Sequence, residues 1–79
     1  MIFNRLREYI EPNDLEIHIY KKGIYVVNYT LISSFSDTEI KIENNNEDIS
    51  IKGKNLVISR LQKDELFISG NIDIINLGN

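Results

Sequence analysis

The residues best suited to chemistry in this 79-residue sequence are a single histidine and a serine-rich stretch that ends in an aspartate. His18 has the side chain of a general base that works near neutral pH. A nucleophile and an acidic partner are available from Ser33, Ser34, Ser36 and Asp37. Nothing in the spacing aims the histidine at the serines, and short polar side chains beside a turn commonly bond to the backbone. We therefore expect a surface histidine and turn-capping serines.

Acidic residues could supply a second kind of chemistry, acid–base catalysis or cation binding. The carboxylate pairs at 47–48 and 64–65 are adjacent in sequence, so in strands they point to opposite faces and cannot flank a substrate. Residues 43–48, ENNNED, are rich in oxygen ligands for a hard cation. They lack the alternating acidic pattern and distal glutamate of a calcium loop, so a hairpin turn is the preferred interpretation. We expect no catalytic residue, metal, cofactor or enzyme activity.

The elements that would position any site are strands. Fifteen isoleucines and no alanine favour sheet over helix. From residue 15 onward, apolar residues recur at alternate positions between short turn segments. They predict short strands at residues 15–20, 24–29, 39–43, 48–52, 56–60, 65–69 and 72–77, with residues 31–35 as a candidate continuation of the second strand past a kink or bulge. We predict an all-β domain over residues 13–79, a small antiparallel meander folded into a sandwich or roll.

The predicted core follows from this alternation and from one aromatic residue in a serine-rich turn. Its members are Ile17, Ile19, Val26, Phe35, Ile40, Ile42, Ile49, Ile51, Leu56, Ile58, Ile68, Ile72 and Ile74.

Two segments share one pattern, an acidic residue followed by apolar residues and a glycine. Residues 48–53 read DISIKG and residues 65–70 read ELFISG. The likeness suggests successive hairpins built on one plan. Gly53 and Gly70 are the structural turn glycines of this plan, and we expect a special backbone conformation or a close backbone approach at both.

The first twelve residues follow a different period. Phe3, Leu6 and Ile10 recur at helical spacing, with polar residues between them, and Pro12 ends the pattern. We predict a short amphipathic helix at the N-terminus. Fewer than three turns do not hold their shape alone in water, so the stripe of Phe3, Leu6 and Ile10 needs a cover. That cover is either the domain's own sheet or a partner or membrane surface.

The charge pattern limits the possible partners. The net charge is −3, and no run of like charges exceeds two residues, whereas nucleic acid binding relies on clustered Lys and Arg. The longest uncharged stretch, residues 23–36, is too short and too polar to span a bilayer. We expect a cytoplasmic protein that does not bind nucleic acid.

An ordered series of short motifs in this chain resembles the YabP/YqfC family of sporulation proteins from endospore-forming Firmicutes. The series covers about residues 15–77 and begins with a basic pair before an apolar strand. Its elements are Lys21 and Lys22, the turn at Ser34, Phe35 and Ser36, the strand at 39–42, the IKGKNLVI segment at 51–58 and the ISGNI segment at 68–72.

The resemblance implies a biological setting. The family is associated with spore development, has no known catalytic residues, and is encoded beside multi-pass membrane proteins. The resemblance therefore implies a non-catalytic protein that acts through protein–protein contacts. The expected partner is an integral membrane protein, and the expected location is the mother-cell side of the forespore membrane. Open edge strands would also allow homo-oligomers. The alternative is a small β-module, unrelated to sporulation, that binds a ligand or nucleic acid.

Overall fold

Six antiparallel strands make up the part of the chain that the computed structural model describes, residues 14–44 and 47–78. They are β1 (Glu16–Tyr20), β2 (Gly23–Val27), β3 (Leu31–Phe35), β4 (Glu39–Asn44), β5 (Glu47–Leu61) and β6 (Glu65–Asn76). The predicted all-β, antiparallel architecture is confirmed. The predicted N-terminal helix and its stripe lie outside the described residues.

The six strands form one sheet in the order β1-β2-β6-β5-β4-β3, which departs from the simple meander we predicted. β3, β4, β5 and β6 are neighbours in chain order, but the β1–β2 hairpin pairs through β2 with the edge of β6 that β5 leaves free. The link from β2 to β3 therefore crosses between distant parts of the sheet. Asn28 donates its backbone N–H to the Asp64 carbonyl at 2.7 Å, and Thr30 donates to the Glu43 carbonyl at 2.8 Å. These two bonds hold the crossing segment against both parts.

The two similar segments are the two arms of one long hairpin, so the prediction of successive hairpins is wrong. Predicted strands 48–52 and 56–60 merge into β5, and 65–69 and 72–77 merge into β6. Gly53 and Gly70 lie inside these strands, where a Cβ on Gly53 would overlap the Asn71 carbonyl oxygen. Gly70 has a φ of +124°, and a Cβ there would lie 2.5 Å from the Asn55 carbonyl oxygen. Because glycine permits such close approach, the strands continue through these points instead of ending.

The sheet folds back on itself through this long hairpin. Ile17 pairs with Val26, Val26 pairs with Leu66, and Leu66 pairs with Leu61. Ile17 on β1 is therefore at the same level in the sheet as Leu61 on β5. Ile49 lies twelve residues from Leu61 along β5, which is about 40 Å in a straight strand. Ile17 and Ile49 nevertheless line the same groove. The hairpin must therefore bend, and the first half of β5 comes to face β1.

The core lies inside this fold and consists of six isoleucines, two leucines and a valine. Its buried members are Ile24, Val26, Ile40, Ile42, Ile49, Ile51, Leu56, Leu66 and Ile68. Ile17, Ile58 and Ile72 are half-buried against them, as is Ile75. Most of the predicted core is confirmed, and Ile24 and Leu66 are buried residues that the prediction omitted. Ile24 lies two residues before Val26 on the same face, so the alternation that predicts Val26 in the core applies to Ile24 as well.

Ile74 is 57% exposed, so its assignment to the core is wrong. Ile74 pairs with Lys52 and Ile72 with Gly53, which leaves Asp73 as an extra residue in β6. A bulge of one residue reverses the alternation beyond it. Ile75, not Ile74, therefore returns to the inner face.

Ile19 and Phe35 are also wrongly assigned to the core, for a different reason. Ile19 pairs with Ile24 and Phe35 with Ile40, so both share a face with buried residues. They are nevertheless 71% and 55% exposed. Both lie on the terminal strands β1 and β3, where a neighbouring strand is present on one side only.

Candidate interaction surfaces

The residues first considered for catalysis lie at opposite ends of the sheet order, on or beside the terminal strands β1 and β3. His18 is on β1, where its Nε2 lies 3.2 Å from a carboxylate oxygen of Glu16 at the surface. Ser33 and Ser34 are on β3, and Ser36 follows it. The Ser36 hydroxyl accepts the backbone N–H of Glu39 at 3.0 Å, which closes the turn between β3 and β4. This hydroxyl has the turn-capping role expected from the sequence.

The acid-rich segment at residues 43–48 joins two paired strands. Asn44 at the end of β4 is opposite Glu47 at the start of β5, and Glu43 is opposite Asp48. The preferred hairpin interpretation is therefore confirmed. Among residues 14–44 and 47–78, no group of three or more His, Cys, Asp or Glu side chains is arranged to hold a metal ion.

An aromatic surface crosses the outer face of the sheet at its β1 end. Tyr25 pairs with His18 on one side and with Phe67 on the other, and the strand neighbours of Tyr25 and Phe67 are buried on the opposite face. The His18 and Tyr25 rings have centroids 5.7 Å apart, and the Tyr20 and Phe67 rings are 6.5 Å apart. We call His18, Tyr20, Tyr25 and Phe67 the outer aromatic patch.

Glycine and arginine complete the shape of the patch. A Cβ on Gly23 would lie 2.9 Å from the Phe67 ring, so the missing side chain gives this ring its space. Arg60 on β5 pairs with Phe67 and extends the row to a fourth strand. Tyr25, Phe67, Arg60 and Ser59 line a shallow hollow of about 260 Å³. The outer aromatic patch and the adjoining Arg60 thus combine ring surface, a cation and a depression on one face.

Tyr25 is anchored within the patch by an acidic residue. Its hydroxyl donates a hydrogen bond to a carboxylate oxygen of Glu65, a residue of β6. This bond, with added desolvation and the negative charge of Glu65, raises the pKa of Tyr25 above its ordinary value. The phenol therefore remains a neutral donor, and its ring is held across the β2–β6 pair.

A second surface is an apolar groove of about 530 Å³ beside β1. We call it the β1 groove. It is lined by Leu15, Ile17, Ile19, Glu47, Ile49, Ile75 and Leu77. Ile49 is almost fully buried and forms its floor, whereas Ile19 and Leu77 are 71% and 70% exposed at its rim. The groove is the open margin of the folded-back sheet, where the inner face of β1 is not fully covered.

Sequence reasoning predicted a surface histidine at His18 but not its aromatic neighbours. The position of Phe67 beside Tyr25 depends on the pairing of β2 with β6, which joins residues about forty positions apart. The β1 groove depends on the bend in the long hairpin and on the bulge at Asp73. No local pattern in the sequence encodes either feature.

The fold and its surfaces define a small all-β protein whose most distinctive exposed features are aromatic and apolar. A protein-family model, that of the YabP family, matches residues 13–79. The chain belongs to the YabP family, and the resemblance found in its motifs is confirmed. The motif at Lys21–Lys22 forms the β1–β2 turn, and the motif at 51–58 forms the centre of β5.

No curated protein and no solved structure matches this chain significantly. In the part of the chain that the structure describes, no helix has the length and apolar character needed to cross a membrane.

Proposed function

We propose that this protein is a non-catalytic sporulation-associated protein that acts through protein–protein contacts and turns over no substrate. The observation that carries the proposal is the outer aromatic patch beside the terminal strand β1. Membership of the YabP family supports the sporulation setting. The expected partner is an integral membrane protein, met from the cytoplasm at the mother-cell side of the forespore membrane.

The composition of the patch supports contact with a protein. Tyrosine, phenylalanine and arginine are enriched at the centres of protein interfaces, where a few residues carry most of the binding energy. Tyr20 is 57% exposed, and its ring can bury further area on contact. Tyr25 is held in place by Glu65, so little conformational freedom is lost when a partner binds.

The position of the patch supports the same function. His18 and Tyr20 lie on β1, which is at one end of the strand order. A terminal strand presents backbone donors and acceptors on one side, and these can pair with an added strand. A partner strand paired with β1 would therefore lie next to the outer aromatic patch. It could bond to the backbone of β1 and contact the rings of the patch. The same geometry allows two copies of the chain to pair through β1 or β3.

The alternative function, binding of a ligand or nucleic acid, also has one observation in its favour. Aromatic rings can stack on bases, and Lys21 and Lys22 lie in the turn next to the patch. Against it stands the net charge of −3, because single-stranded nucleic acids are held mainly by a positively charged groove along their backbone. We therefore propose a protein partner and no nucleic acid.

Co-purification from sporulating cells tests this function. A tagged copy in a spore-forming host, with its genomic neighbours present, should recover a membrane protein from detergent extracts. Tyr20→Ser and Phe67→Ser should each lose that partner. Leu31→Ser is the matched control, since Leu31 is 52% exposed on the far strand β3, and it should retain the partner.

Two further measurements separate the alternatives. Strong retention on heparin at low salt, lost in Phe67→Ser, would favour nucleic acid and count against the proposal. Deletion of residues 1–12 tests the predicted stripe of Phe3, Leu6 and Ile10 as a second contact. If that deletion removes the partner while both patch variants retain it, the contact belongs to the stripe and not to the patch.

A further inference from the structure

The β1 groove is an apolar surface without an assigned occupant, and its position indicates which segment could fill it. The described chain begins at Asp14, and Leu15 is the first groove residue. Residues 1–13 are therefore joined to the described chain next to this groove residue. Any cover that these residues provide starts at this point.

We propose that the β1 groove is the docking site, within the same chain, for the apolar stripe of Phe3, Leu6 and Ile10. This inference goes beyond the proposed function, because it concerns the chain's own N-terminal segment and needs no partner. It also selects one of the two covers that the sequence leaves open for the stripe.

The dimensions of stripe and groove agree. From Phe3 to Ile10 a helix rises by about 10 Å. The β1 side of the groove, from Leu15 to Ile19, extends over about 13 Å of strand. The groove volume of about 530 Å³ lies within the range of pockets that enclose small apolar ligands, about 300–1,000 Å³. Three apolar side chains at helical spacing can therefore lie along it.

The rim of the groove supplies both an apolar contact and a complementary charge. Ile19 and Leu77 expose 71% and 70% of their surfaces, and burial of such surface is favourable by roughly 25 cal/mol per Å². Glu47 lines the groove, while the N-terminal segment carries Arg5 and Arg7. At helical spacing Arg7 flanks the stripe, so docking would bring its charge toward this carboxylate, whereas Arg5 lies on the far side of the helix.

Covalent connection favours this occupant over a second copy or a separate protein. A short tether holds the stripe near the β1 groove at an effective concentration of roughly millimolar, without any new contact. A free partner would need high affinity to compete with it. The link between Ile10 and Leu15 is only a few residues long, so the stripe stays near the groove.

Tryptophan fluorescence of the full chain provides a direct test, because the sequence contains no tryptophan. Phe3→Trp places a single fluorophore on the stripe, and Asn4→Trp places one on its polar side. We expect the Phe3→Trp protein to emit at shorter wavelength and to resist acrylamide quenching. The Asn4→Trp protein should emit and quench as an exposed indole does.

Charge placed in the groove should release the stripe. Ile19→Asp or Leu77→Asp, each combined with Phe3→Trp, should shift the emission to longer wavelength and increase quenching. Leu31→Asp, on the exposed face of β3, is the matched control and should leave the emission unchanged. Circular dichroism and thermal melting of each variant check that the sheet is intact, and the two groove variants provide independent readings.

Three results would overturn the proposal. Equal quenching of the Phe3→Trp and Asn4→Trp proteins would show that the stripe is uncovered. Protection that disappears on dilution would assign the cover to a second copy. Protection that survives both groove variants would place the docking site elsewhere. None of these results involves a partner protein, so they leave the proposed function to be judged separately.

Discussion

Two isoleucines of β6 provide a test of the fold that depends on the bulge at Asp73. Ile68 is fully buried, whereas Ile74 is 57% exposed. Both belong to one strand, and alternation without a bulge would place both on the inner face. Replacing each by alanine removes the same three carbons and the same β-branched side chain. The difference between the two variants therefore reports the difference in burial.

The magnitudes follow from these exposures. Ile68→Ala leaves a cavity in the core and should lower the free energy of unfolding by about 2–5 kcal/mol. Since Ile74 is 57% exposed, Ile74→Ala should lose less than half of the ~0.8 kcal/mol that each buried carbon contributes, or about 1 kcal/mol in all. A domain of this length has a total stability of roughly 4–12 kcal/mol. Ile68→Ala therefore removes a large fraction of it.

Urea denaturation followed by circular dichroism measures both variants. For a small domain the m-value is about 1 kcal/mol per molar urea. Because Ile68→Ala should lose at least about 1 kcal/mol more than Ile74→Ala, its urea midpoint should be lower by about 1 M or more. The m-values should remain similar. If Ile74→Ala proves as costly as Ile68→Ala, the bulge at Asp73 and the folded-back core built upon it are wrong.

Three further changes have expected outcomes. Gly70→Ala should lower the unfolding free energy by more than about 1 kcal/mol in a urea titration, because φ is +124° and the added Cβ meets a carbonyl of β5. Asp48→Lys should raise it by about 0.2–1 kcal/mol in the same assay, because Asp48 faces Glu43 across the β4–β5 pair. Glu65→Gln should bring the raised pKa of Tyr25 back toward its ordinary value of 10.0 in an ultraviolet titration. In the parent protein, the stability from that hydrogen bond is fully present below pH 10 and is lost as the pH rises through the raised pKa.

Alternation of apolar residues predicts most of the strands and most of the core. Ile40, Ile42, Ile49 and Ile51 all lie where the period of two places them, because the β4–β5 hairpin has an uninterrupted register. Such local pairing needs only a short turn and one buried face. The sequence contains both pieces of information.

The errors arise where the register shifts or the sheet ends. The extra residue at Asp73 reverses the alternation and exposes Ile74. The position of β1 and β3 at the ends of the order exposes Ile19 and Phe35 although both face inward. Bulges and strand order follow from contacts between distant segments, such as β2 with β6, which local periodicity does not describe. The outer aromatic patch and the β1 groove depend on the same distant contacts, so local periodicity predicts neither surface.

The central claim is that the chain serves sporulation through the outer aromatic patch. Its most direct test is the count of heat-resistant spores formed by a deletion strain that carries Tyr20→Ser, Phe67→Ser or Leu31→Ser at the native locus. We expect the parent sequence and Leu31→Ser to restore spore formation, and the two patch variants to fail although each protein accumulates and melts normally. Full spore formation in the deletion strain itself, or full restoration by both patch variants, would contradict the claim.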